Sequence, residues 1–141
     1  MNNLKVLICT VFGMLGSFFS QLYGGWDKDM TTLITCMAID FIMGLVIAVV
    51  FKKSPKTQSG AADSMSCFRG LCKKCVILLF VLLAHRLDVT LGVTYIKTAA
   101  VIGFIVNEVI SIIENAGIMG IPLPKAFTKA LELLKKDDED A

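Results

Sequence analysis

Long apolar runs alternate with short polar ones along this chain, and the runs are too long for the core of a water-soluble domain of this size. A window of about 19 residues, the length needed to cross a bilayer as a helix, fits four stretches: Val6–Tyr23, Met30–Phe51, Cys75–Tyr95 and about Thr98–Ile118. The first carries no charge and the second only Asp40. The third contains His85, Arg86 and Asp88, and the fourth carries a polar patch, so three spans remain an alternative to four. The expected fold is all-α, a single membrane domain over residues 1–141 with three to four transmembrane helices. The basic loop is 52–74 and the polar tail 122–141.

Composition agrees with the pattern. Of 141 residues, 55% are hydrophobic, and the mean hydropathy is +0.72. That is more apolar surface than one small domain can hide in water, so lipid must replace the missing core. The N-terminal run is longer than a signal-peptide core and lacks an Ala-x-Ala-like site, which makes it a retained span.

Charge placement sets the expected orientation. Lys52, Lys53, Lys56, Arg69, Lys73 and Lys74 crowd the central connection, while the turn around Trp26 holds only Lys28 beside Asp27 and Asp29. Excess Lys and Arg stay on the cytoplasmic side, so the central loop faces inward and, with four spans, so do both termini. The net charge of +2 gives no global attraction to nucleic acid.

The intramembrane polar residues are the informative feature. Asp40 falls near the middle of the second span, with His85 and Arg86 near the middle of the third and Asp88 beyond them. An unpaired charge at such depth costs about 2.5–3.5 kcal/mol on insertion scales, so partners or water are expected. Matching depths make Asp40–Arg86 one candidate pair; Arg86 reaching the outer interface is the other. In the fourth span, Asn107, Glu108, Ser111, Glu114 and Asn115 fall within an arc of about 120° on a helix. Such a stripe can line water, join subunits, or bond within one bundle. Gly13, Ser17, Ser20 and Gly24 share a face of the first span, and Asp40, Gly44 and Ala48 share one of the second; small residues there permit close helix approach.

Chemistry is sparse by comparison. Cys67, Cys72 and Cys75 form C-x4-C-x2-C, but a structural zinc site needs a fourth ligand and no neighbouring Cys or His supplies it. His85 is the only histidine, and there is no phosphate-binding loop, dinucleotide turn or metalloprotease motif. The expectation is a protein without catalysis, metal or cofactor. The tail IPLPKAFTKALELLKKDDEDA places Leu123, Phe127, Ala130, Leu131 and Leu134 on one helical face. It reads as a short amphipathic helix on the cytoplasmic membrane surface, or one that docks a partner.

Taken in order, GGWDKDM, then Asp40-Phe-Ile-Met-Gly44, then the basic GLCKKC, then NEVISIIENAGIMGIPLPK resemble phage holins of the toxin-secretion/phage-lysis type found in Gram-positive bacteria and their phages. The positions carrying the likeness are Gly24, Gly25, Trp26, Asp27, Asp40, Gly44, Lys73, Lys74, Asn107, Glu108, Ser111, Ile112, Glu114, Asn115, Gly120, Pro122 and Pro124. Two departures are the longer, more polar loop 56–65 and Arg86 after His85. The resemblance implies a protein that homo-oligomerises in the bacterial cytoplasmic membrane and opens timed lesions there. Through them an endolysin, or in some relatives a toxin, leaves the cell without needing direct contact. The lipid bilayer and other copies of the chain are the implied partners, and nucleic acid is not one. A small ion channel or regulatory membrane subunit is the alternative class.

Overall fold

The computed structural model describes residues 2–140. Five α-helices follow one another: α1 (Asn3–Leu22), α2 (Lys28–Val46), α3 (Ser64–Leu91), α4 (Ile96–Ile118) and α5 (Lys125–Asp140). No strand occurs among the described residues, and the fold is all-α. Helix ends follow local chemistry. After α1 the chain reverses through Gly24 and Gly25, at φ 74° and 97°, where a side chain would be strained. Asp27 caps α2 by accepting the Met30 N–H at 2.9 Å, and Asp63 caps α3 by accepting from Met65 and Ser66. Gly120, at φ 73°, closes α4 while the Ile121 N–H reaches back to the Ala116 carbonyl at 2.9 Å. Pro122 and Pro124 then prevent the helix from resuming.

Helix α2 does not stop at Val46. It widens into a π-helical turn, Ile47–Phe51, which ends on Lys52 in the left-handed region at φ 52°. The wide turn keeps Ile47 and Ala48 buried and delivers the chain into the 52–63 loop.

The core lies where α2, α3 and α4 meet. Met30, Leu33 and Met37 recur at helical spacing on α2 and interlock with Val81 of α3 and Val101 and Ile105 of α4, with Tyr23 closing one end. Helix α5 folds back along α4, and Leu134 reaches this core. The tail helix therefore has a seat on the bundle, which the surface-lying expectation did not provide. Helix α1 is different, since it buries none of its residues and leaves Phe12 71% exposed and Met14 68% exposed. A Cβ on Gly13 would meet no atom within 4 Å, so that part of its small-residue face is open, and α1 engages the bundle only at its end, where Leu22 packs against the core and Gly24 lies against His85.

By length and composition, three helices can cross a membrane: α1, α2 with its π turn (Lys28–Phe51), and α4. Helix α3 departs from the expected third span. It begins at Ser64, eleven residues before Cys75, and its apolar run is bracketed by Lys73 and Lys74 on one side and by His85, Arg86 and Asp88 on the other.

Candidate functional site: a buried polar cluster

Three helices deliver polar side chains to one point inside the bundle. Asp40 of α2 is 7% exposed and Glu108 of α4 is 3% exposed. Lys74 of α3 bridges them, its Nζ lying 2.9 Å from Asp40 Oδ2 and 2.6 Å from Glu108 Oε2. The second Asp40 oxygen, Oδ1, accepts from Ser111 Oγ at 2.6 Å and from Asn115 Nδ2 at 3.0 Å. One ammonium thus serves two carboxylates, and neutral donors satisfy the remaining Asp40 oxygen.

The geometry follows from helix periodicity. Relative to Ser111, Glu108 and Asn115 lie about 40–60° to one side of α4, and Asn107 and Glu114 lie about as far to the other. The first side faces α2 and α3; the second is exposed. The polar stripe of the sequence is therefore split along its midline. Glu108, Ser111 and Asn115 join Asp40, while Asn107 and Glu114 do not.

Arg86 is not the partner of Asp40. It is exposed, and Lys74 takes that place. The depth argument fails because α3 is longer at its start than its apolar run, which brings Lys74 well inside the helix and moves Arg86 toward the far end. A lysine just before an apolar run looks like a topology marker; only the extra turns that Asp63 caps reveal it as an interior residue.

A cavity of about 260 Å³ leads from the basic loop to this cluster. Asp40, Lys74, Ser111 and Asn115 line it, with residues of 54–57 and 61–63 covering it and Gly44 and Ala48 in its wall. No Cβ placed on Gly44 would meet another atom within 4 Å, so Gly44 makes room for the cavity and not for a helix crossing inside the chain.

A second cluster holds the opposite end. Asp88, 7% exposed, accepts the N–H groups of Ile96 and Lys97 at 2.9 and 3.0 Å and so caps α4 from the preceding helix. Lys97 turns back to donate to the Tyr23 carbonyl at 2.6 Å and to Asp27 Oδ2 at 3.3 Å, and the Tyr23 hydroxyl donates to the Leu78 carbonyl at 2.8 Å. Burial works to raise the Asp27 pKa, but the Met30 N–H and the Lys97 charge together hold it below its ordinary value. His85 is half-buried, its ring over Gly24, where a Cβ would come within 2.7 Å of Nε2. Trp26 stays exposed. The sequence singled out Asp88 as an intramembrane charge but not Lys97; the structure makes Asp88 a cap on α4 and Lys97 a clasp on the base of α1.

Among the described residues, no group of three or more His, Cys, Asp or Glu side chains is placed to hold a metal ion, and the five cysteines are free thiols.

The comparisons with known proteins agree with the geometry. Residues 17–136 match the model of the bacteriophage holin family. An uncharacterized protein of Halalkalibacterium halodurans is 38% identical over 131 residues, covering 89% of this chain and 91% of its own length. An uncharacterized protein of Clostridium perfringens is 32% identical, with 92% and 93% covered. A protein described as a probable holin, from Bacillus phage phi105, is 28% identical over 116 residues, with 82% and 80% covered. No solved structure matches. With a family match over most of its length and a 38% identical relative along almost all of it, this integral membrane chain belongs to the bacteriophage holin family.

Proposed function

We propose that this protein is a holin of the bacterial cytoplasmic membrane that acts without catalysis, oligomerises, and at a set time opens lesions through which an endolysin reaches the cell wall. The observation that carries this reading is the buried cluster Asp40–Lys74–Glu108–Ser111–Asn115, which keeps five polar side chains off lipid inside an otherwise apolar bundle. A bundle satisfied in this way is silent. The same side chains, turned outward, would prefer water or one another to hydrocarbon, so separating α2, α3 and α4 favours assembly around an aqueous lesion. Helix α1, which buries none of its residues, is the surface most open to other copies. In this reading α3 crosses the membrane as a fourth span and both termini are cytoplasmic, as the basic loop requires.

The test is induced expression in a bacterial host, with and without an endolysin lacking its own secretion signal, followed by turbidity and release of a cytosolic enzyme. Abrupt clearing only when both proteins are present, with release of the enzyme, is the expected result. Depolarisation without enzyme passage would instead identify a small channel, and an energised, intact membrane at high expression would refute the proposal.

A further inference from the structure

Asn107 is the midpoint of α4 and is exposed, and it makes no hydrogen bond among the described residues. With Lys73 it stands where the polar cavity meets a groove of about 990 Å³ between α3 and α4. A lysine stem is long enough to carry its ammonium into the cavity, but the short amide side chain is not. The groove is apolar, walled by Val76, Phe80, Leu83 and Phe104, and Ala100 and Gly103 leave it open. It runs from Asn107, at mid-bilayer depth, to Ile96 at the start of α4, eleven residues or about 17 Å, which is the outer half of the membrane in the four-span reading. Acyl chains filling it would leave the amide facing hydrocarbon.

We infer that the groove receives helix α1 of a second copy, with the hydroxyls of that helix meeting the Asn107 amide. Of the three helices able to cross the membrane, α2 and α4 are packed in the core, and α1 buries none of its residues. Its depth is set by the bond from Lys97, at the head of α4, to the Tyr23 carbonyl at the end of α1. Copies share one orientation in the bilayer. Counting inward from that bond therefore puts Asn107 of one copy level with Gly13 of another, between Thr10 and Ser17, and Ala100 level with Ser20. Thr10, Gly13, Ser17 and Ser20 fall within about 80° on α1, a small and mildly polar face that Ala100 and Gly103 let approach closely. Thr10 donates to the Val6 carbonyl at 2.8 Å, which leaves its oxygen able to accept from the amide. Charge agrees with this occupant. Helix α1 has none between Val6 and Leu22, the groove has none beyond Lys73, and Lys5 lies about 12 Å to the cytoplasmic side of Gly13. Donor helix and acceptor groove are different surfaces, so each copy can give α1 to one neighbour and receive α1 from another, and assembly does not stop at a pair. The inference rests on the reading above for self-association and for α1, α3 and α4 crossing together, but not on lysis.

Two differently tagged versions of the full chain, each with its five cysteines replaced by serine, test it when co-expressed and oxidised with copper phenanthroline in isolated membranes. Ser20→Cys in one version and Ala100→Cys in the other should join the two tags through a disulfide. Phe19→Cys, at nearly the same depth but turned away from that face of α1, should give far less with Ala100→Cys. Asn107→Leu should lower the yield about five-fold, the effect of losing one hydrogen bond between membrane helices, and Asn107→Gln, which keeps the amide, should retain most of it. Equal yields from Ser20→Cys and Phe19→Cys, or an undiminished yield with Asn107→Leu, would overturn the site. Tagged copies that co-purify without the disulfide would also overturn it, leaving the groove to lipid and association to another surface, while the self-association in the proposed function stands. Copies that neither cross-link nor co-purify would remove both.

Discussion

At the scale of single residues, Lys74 carries more of the fold than its place in the sequence suggests. Replacing it with Met would leave the buried Asp40 and Glu108 close together with no cation between them. Loss of one partner from a buried ion pair costs about 3–5 kcal/mol, so Lys74→Met should markedly lower the unfolding midpoint in detergent. Arg86→Ala, at an exposed position on the same helix, should change stability by no more than about 0.5 kcal/mol. Asp27 gives a prediction against pH. Its carboxylate is held below the ordinary value of 3.8, so the native state binds fewer protons there than the unfolded chain. Its contribution is complete above about pH 4 and is lost as pH falls through the lowered value; Asp27→Asn should flatten that part of a stability-versus-pH curve. Asp40 was visible in the sequence as an acid needing a partner. The partner was not visible, because proximity between helices depends on where α3 begins, and that depends on one capping residue, Asp63.

At the scale of helices, the runs that made the chain look membrane-bound are also the helices of the structure, and the glycines and aspartates between them mark their ends. Two relations were not legible. The sequence has an unbroken polar stripe on α4, but only its Glu108–Asn115 side meets α2 and α3, because the rotation of a helix about its axis is decided by its neighbours. Likewise α1 and α2 look equally apolar, yet α2 is packed along its length and α1 meets the core only through Leu22 at its end. The contrast is measurable in detergent micelles of the monomer. Leu33→Ala, in the core of α2, should cost about 2–5 kcal/mol. Leu15→Ala on α1 should stay within about 0.5 kcal/mol, since it removes no contact within the bundle.

At the scale of the whole molecule, α2, α3 and α4 form a core that holds a buried polar cluster reached by a cavity from the basic loop, while α1 engages that core only at its end. Under the proposed function, stability and timing are linked through the same side chains, because whatever loosens the cluster would bring polar groups toward lipid and toward other copies. The two acids of α4 separate this account from one in which the whole stripe acts as a unit. Glu108 bonds to Lys74 in the interior, and Glu114 is exposed. The most direct measurement is the onset of lysis, at matched membrane levels and with endolysin present, for Glu108→Gln and Glu114→Gln beside the unaltered chain. The account predicts an earlier onset for Glu108→Gln, whose bond to Lys74 loses its charge, and an unchanged schedule for Glu114→Gln. An unchanged onset for Glu108→Gln, or a shift confined to Glu114→Gln, would contradict it.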